Sequence, residues 1–215
     1  MKLYGSLVSP YVARVAFAAR LKGLTLIPEL PPGGIKSAEF LHLNPIGKMP
    51  AMEVDGRPLA ESMVLLDYLE DAYPTPALLP ASAYERAQSR LLGRIVDLYV
   101  TVQARYFFTN MNPATRKADE VAAGVLAYRK SLEQLEHFMG PGPYAVGSTL
   151  GYADVAMMPC LQMMASVAGA CGVVDPYDGL PRLGSWWRKL QTDPVTVAFI
   201  DEYHNAFMNF MASRR

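Results

Sequence analysis

The chain has 215 residues, 51% of them hydrophobic and 19% charged, which suffices for one large or two small well-buried domains. Lysine plus arginine balances aspartate plus glutamate at 20 each, and no basic cluster stands out, so nothing in the charge favours nucleic acid or an anionic membrane as partner. The start, Met1-Lys2-Leu3-Tyr4-Gly5, has no apolar signal core, no run spans a bilayer, and Cys160 and Cys171 lie too far apart for a Cys-x-x-Cys pair, which predicts a cytoplasmic location and core-filling thiols.

Lys2 to Gly5 reads as a first strand. Ser9-Pro10 then opens a helix, with a favoured N-cap residue and a proline at the first helical position. Val12, Val15, Ala16 and Ala19 repeat at i, i+3, i+4 and i+7 along it, and Lys22-Gly23 closes it with a cation and a C-terminal glycine. Leu24 to Leu30 reads as the next strand, parallel to the first across this helix, until Pro31-Pro32-Gly33-Gly34 breaks it. Ser37 to Leu43 fits a short, irregular helix.

The stretch Asn44-Pro45-Ile46-Gly47-Lys48-Met49-Pro50 is a loop running into a strand from Ala51 to Val54. Asp55-Gly56 supplies the positive φ of a hairpin turn, a return strand follows, and a helix begins near Met63 with the periodic run Val64, Leu65, Leu66, Tyr68, Leu69. Pro50 stands just before its strand, where a residue with no N–H is tolerated and where a cis bond would bend the chain. Glu61 and Ser62 crowd the helix N-terminus, whose free N–H groups suit an anion.

Pro74-Thr75-Pro76-Ala77-Leu78-Leu79-Pro80 is a proline-spaced connector, which sets the expected domains at 1–73 and 81–215 with a linker over 74–80. Beyond it the pattern is helical throughout. Leu91, Leu92, Ile95, Val96, Tyr99 and Val102 share one expected helix face; Val121, Val125, Tyr128, Leu132, Leu135 and Met139 share the next. Further helices are expected through Met157 and Met164, over Pro181 to Gln191, and from Pro194 to Phe210. In Gly151-Tyr152-Ala153-Asp154 the Asp154 carboxylate can accept from the Gly151 N–H, although glycine offers no reciprocal side-chain cap.

These motifs together resemble the cytosolic glutathione transferases. The carriers are Gly47-Lys48-Met49-Pro50 before a strand, Asp55-Gly56, Glu61-Ser62 opening a helix, and Val8-Ser9-Pro10-Tyr11 at the first helix, which is similar to the serine-type segment of the tau class. The resemblance extends to serine-type, bacterial members of tau-, zeta- and theta-like character. It implies an α/β thioredoxin-like N-terminal domain of order β-α-β-α-β-β-α followed by an all-α C-terminal domain that forms the electrophile pocket. It implies glutathione as co-substrate, a small apolar electrophile as second substrate, a role in detoxification and a homodimer.

Residue by residue, the resemblance makes Ser9 the catalytic hydroxyl, which hydrogen-bonds the glutathione sulfur and favours its thiolate. A thiol of pKa near 8.5 needs about 2.7 kcal/mol of preference for the thiolate to drop two units, which one O–H donor plus a helix N-terminus can supply. Met49, ahead of a cis Pro50, would pair its backbone with the cysteinyl part; Glu61 and Ser62 would hold the γ-glutamyl end; Lys48 and Lys36 would meet the glycine carboxylate. Ser6 is the second-ranked hydroxyl, too early to cap the helix. Tyr11, Tyr106, Phe107 and Phe207 are the candidate pocket walls, each of which also suits ordinary core. His42, His137 and His204 have no metal-ligand spacing.

Other readings share this fold. A glutathione-dependent isomerase of the maleylacetoacetate or maleylpyruvate type would be suggested by a Ser-Ser-Cys segment, and a thiol-disulfide reductase or glutathione lyase by cysteine in place of Ser9; neither feature is present. A non-catalytic binding protein would be marked by loss of Ser9 or Glu61-Ser62, and all three remain. A serine hydrolase is disfavoured, because no Gly-x-Ser-x-Gly elbow exists.

Overall fold

Strand pairing sets the frame of the first unit. In the computed structural model, which describes residues 1–213, β1 (Lys2–Tyr4) pairs in parallel with β2 (Pro28–Glu29) and antiparallel with β3 (Ala51–Val54). β3 pairs antiparallel with β4 (Arg57–Ala60), so the sheet order is β2-β1-β3-β4. With α1 (Pro10–Leu21), α2 (Ala38–Leu43) and α3 (Ser62–Ala72) the chain order is β-α-β-α-β-β-α, the thioredoxin-like arrangement. β2 is shorter than the expected Leu24 to Leu30. The Leu24 N–H still bonds the Ala19 carbonyl at 2.9 Å as part of the helix end, and Pro28 has no N–H for the ladder. Leu3, Val12, Val15, Phe17, Met52, Leu65, Leu66 and Leu69 form the buried core between sheet and helices.

Lys22 stands at the C-terminal end of α1, as expected, and does more than close the helix. Its Nζ is buried 2.7 Å from the Glu70 carboxylate and donates to the carbonyls of Tyr73 and Pro76 at 2.7 and 3.0 Å. Glu70 in turn accepts from the Leu78 and Leu79 N–H groups at 3.1 and 2.9 Å. Burial pushes the Glu70 carboxyl up, but the Lys22 bond and the two backbone donors outweigh it and leave the group below the ordinary carboxylate range. The pair therefore clips the proline-rich connector onto α1 and α3.

The chain divides into two units, Met1–Leu79 together with the chain from Asp201 onward, and Pro80–Ile200. The expected boundary at residues 74–80 left the whole C-terminal helix in the second domain. Instead the far part of that helix joins the first unit, where Glu202 pairs with Arg20 of α1 at 2.7 Å.

The second unit is helical. α4 (Ala83–Ile95) runs into a π turn (Val96–Val100), a 3₁₀ turn (Thr101–Gln103) and α5 (Ala104–Phe108). A π turn holds one residue more than an α turn, so the core face slips by about one position. Leu92, Ile95 and Val96 are buried as expected and Leu91 of the same expected face is exposed; the next core positions are Val100, Thr101 and Ala104, while Tyr99 and Val102 are exposed.

α6 (Ala118–Phe138), α7 (Tyr152–Ala170), α8 (Pro181–Leu190) and α9 (Pro194–Ala212) follow, and α7 is buried along most of its length. Its start is tied down by Asp154, which accepts from the Ala145 N–H at 2.8 Å, the Gly151 N–H at 2.9 Å and the Trp186 indole N–H at 2.7 Å. Burial pushes the Asp154 carboxyl up to about 6, with the three donors opposing it. Among the described residues no helix is long and apolar enough to cross a membrane.

Candidate active site

Three loops leave the same end of the sheet. Tyr4 stands opposite Ala51, and Ala51 opposite Ala60. The residues that follow Tyr4, precede Ala51 and follow Ala60 therefore converge: Ser6 to Ser9, Met49-Pro50, and Glu61-Ser62.

The first loop is held close to its helix. Gly5 has φ +157°, and a Cβ there would stand 2.4 Å from a Val12 methyl, so only glycine fits the turn. The Ser6 hydroxyl lies 3.5 Å from the Val8 N–H, and the Ser9 N–H donates to the Ser6 carbonyl at 2.9 Å. Ser9 is the N-cap residue of α1, but the N–H groups of Val12 and Ala13 bond its backbone carbonyl, at 3.0 and 2.9 Å, and its side chain makes no capping bond. The Ser9 hydroxyl is half-buried and has no hydrogen-bond partner among the described residues. It stands at the positive end of a 12-residue helix with its donor and acceptor capacity open.

The second loop is shaped by Asn44, a residue the sequence reading passed over. Its side-chain amide donates to the Lys48 carbonyl at 2.8 Å and its Oδ1 accepts from the Ile46 N–H at 3.2 Å. Gly47, at φ +63°, completes the turn and its carbonyl lies 3.4 Å from Lys36 Nζ. Lys36 and Lys48 are thereby brought onto one loop. The Met49-Pro50 bond is cis, with Pro50 buried and Met49 half-buried where the chain enters β3.

The third loop ends the hairpin. Asp55 and Gly56 have φ +49° and +75°, the turn expected from their sequence. Glu61 has φ +68°, unusual for a residue with a side chain and worth about 1–3 kcal/mol of strain, a feature that clusters at functional sites. It is exposed and precedes Ser62, which is buried at the start of α3.

Arg14 joins α1 to this last loop. Its side chain is fully buried, with Nη1 3.4 Å from Ser62 Oγ and the guanidinium 5.2 Å from the centre of the Tyr11 ring. A buried cation beside a helix N-terminus deepens the positive field there. The sequence held a signal for it, since Arg14 interrupts an otherwise apolar run from Val12 to Ala19.

Of the four aromatic candidates, Tyr11 and Phe207 belong to the first unit and Tyr106 and Phe107 to the second. Tyr11 is half-buried on α1. Phe207 is buried on α9, its ring 6.3 Å from that of Tyr203. In the second unit Phe107 lies in the core, edge-on to Tyr128 at 5.8 Å. Its neighbour Tyr106 is half-buried, accepts from Arg105 at 3.2 Å, and lies against α6 where Gly124 leaves room: a Cβ on Gly124 would be 2.5 Å from that of Tyr106.

Residues 3–77 match the family model for the glutathione S-transferase N-terminal domain, and residues 99–194 match that for the C-terminal domain. The chain is 31% identical to glutathione transferase GST 23 of Zea mays over 210 residues, covering 94% of this chain and 90% of that one. It resembles the solved structure of rice GST1 in complex with glutathione, with a TM-score of 0.80, 28% identity, and coverage of 99% of this chain and 95% of that one. It shares its fold with the tau class transferase MiGSTU of mango, with a TM-score of 0.78, 22% identity, and coverage of 98% and 97%.

Proposed function

The chain belongs to the glutathione S-transferase family, and from that premise we propose that it activates the glutathione thiol for attack on a small apolar electrophile, as a serine-type enzyme near the tau class. The observation that carries the reading is the convergence of an uncommitted Ser9 hydroxyl, the Met49-Pro50 turn and the Glu61-Ser62 helix start at one end of the sheet.

Each element has a task there. The Ser9 O–H donates to the glutathione sulfur and, with the α1 N-terminus, holds it as the thiolate. The Met49 backbone pairs with the cysteinyl unit as a strand would. Glu61 takes the γ-glutamyl ammonium, the Ser62 hydroxyl and the α3 N-terminus take its carboxylate, and Lys36 and Lys48 face the glycine carboxylate. Arg14 fixes Ser62 from behind. Tyr11 offers aromatic surface for the electrophile, with Phe207 as supporting core of the same unit.

A cytoplasmic homodimer is part of the proposal. Members of the family are typically dimeric. Tyr84, Leu91 and Leu98 are exposed at seven-residue spacing along α4 and the π turn, apolar surface of the kind that a second copy covers.

The direct test is calorimetric titration with glutathione, followed by rates with aryl halides, epoxides, peroxides and maleyl compounds. Saturable glutathione binding with conjugation of at least one electrophile is expected; absence of glutathione binding would overturn the reading. Glu61→Ala and Ser62→Ala are each expected to weaken glutathione by about 1.5 kcal/mol, roughly tenfold in Kd, since each removes one charge-assisted contact. If both variants bound like the parent, the γ-glutamyl end would have to lie elsewhere.

A further inference from the structure

The second unit carries a cleft of about 470 Å³, lined by the turn that precedes α8 and by one face of α8 itself, a volume suited to a small molecule. No residue assigned to the glutathione site lines it. Its chemistry is divided by element: the turn contributes the carboxylates of Asp175 and Asp178, and the helix contributes the indole of Trp187 and the guanidinium of Arg188.

The aromatic wall is fixed in advance. Trp187 is half-buried, its ring 5.9 Å from Tyr177 and 5.8 Å from Trp186, whose own indole N–H is anchored on Asp154 at 2.7 Å. Gly184 leaves the helix bare beside it. A Cβ at that position would stand 3.4 Å from Arg188 Nη1 and 3.8 Å from the Tyr177 carbonyl oxygen, so the guanidinium folds back over the place where a side chain would be.

The charges are open as well. The guanidinium of Arg188 and the carboxylate of Asp178 are exposed and make no ion pair or hydrogen bond among the described residues. Asp175 uses one oxygen to accept from the Tyr177 N–H at 2.9 Å, leaving the other. Arg129, the other cation near the turn, is engaged by the Asp178 carbonyl and by Glu133.

We propose that this cleft binds an aromatic zwitterion of amino-acid size, its ring against Trp187, its ammonium toward Asp175 and Asp178, and its carboxylate on Arg188. A simple organic cation would gain the aromatic face and the carboxylates but meet Arg188 as a like charge. A simple aromatic anion would gain Arg188 but meet both carboxylates. Only a ligand carrying both signs satisfies the turn and the helix at once.

L-phenylalanine is a suitable probe, because its phenyl ring does not absorb where the indoles of Trp186 and Trp187 are excited, and of the two only Trp187 lines the cleft. Emission titration and calorimetry on the full chain should show saturable binding. N-acetyl-L-phenylalanine, which lacks the cation, and L-phenylalanine methyl ester, which lacks the anion, should each bind about tenfold more weakly, the loss of one charge-assisted contact.

Arg188→Gln should weaken L-phenylalanine and abolish its advantage over the ester. Gly184→Ala, which improves helix propensity and therefore keeps the fold, puts a methyl against the Arg188 guanidinium and should weaken L-phenylalanine by moving that group off its seat. Absence of saturable binding, equal affinity for all three compounds, or an unaltered response in both variants would overturn the proposal. None of these readouts involves glutathione, so the outcome is independent of the transferase reading.

Discussion

Ser9→Ala is expected to leave the protein folded and able to bind glutathione while conjugation falls by roughly a hundredfold at neutral pH. The substitution removes a single O–H donor from beside the sulfur, and a hydrogen bond to a charged acceptor is worth about 1.5–3 kcal/mol, up to two pKa units of thiolate stabilisation. The thiolate absorbance of bound glutathione, titrated against pH, should show the thiol pKa rising toward its free value. The fold should survive because Ser9 caps α1 through its backbone carbonyl, which alanine retains.

Ser9→Cys separates the two properties further. A cysteine at a helix N-terminus is a nucleophile of lowered pKa, so its thiolate should attack glutathione disulfide, forming a mixed disulfide and releasing glutathione thiolate. Mass spectrometry would detect the adduct. If Ser9→Ala left both the thiol pKa and the conjugation rate unchanged, the thiolate donor would have to be Ser6 or a backbone N–H.

Glu70→Ala is expected to cost about 3–5 kcal/mol of stability, a large share of the roughly 5–15 kcal/mol that holds a protein folded. The variant strands the buried Lys22 ammonium and leaves the Leu78 and Leu79 N–H groups without their carboxylate acceptor. Urea unfolding followed by far-ultraviolet dichroism measures the loss; a change under about 1 kcal/mol would mean that water replaces the carboxylate at little cost. The pH dependence has a definite sign. Because the folded Glu70 carboxyl lies below its ordinary value, its contribution is present above about pH 4.3 and disappears as the pH falls through the lower folded value.

Local signals carried the first unit well. Pro10 at a helix start, Gly23 at a helix end and Asp55-Gly56 at a hairpin each set backbone angles within a few residues, and each stands where its chemistry placed it. The order of elements followed, and with it the convergence of Ser9, Pro50 and Glu61-Ser62, which depends only on register. Legibility failed where a side chain's partner is distant in sequence. Lys22 meets Glu70 and the carbonyls of Tyr73 and Pro76 across about fifty residues, and helix periodicity says nothing of such a meeting. Arg14 was visible only as an anomaly in an apolar run, since its neighbour Ser62 comes from another helix.

The π turn at Val96–Val100 acts like one extra stitch in a knitted row: everything beyond it is displaced by a stitch, though no loop has changed. Rewinding the same residues into a plain α-helix would draw Tyr99 and Val102 into the interior and push Val100 and Thr101 out, whereas deleting one residue there would give a plain helix with Val100 and Ala104 still inside. The aromatic and aliphatic character of that surface is thus set by how the helix is wound as well as by which residues it contains. A one-residue deletion within a helix, usually read as damage, would here only take out the extra stitch and leave the face beyond it as it was.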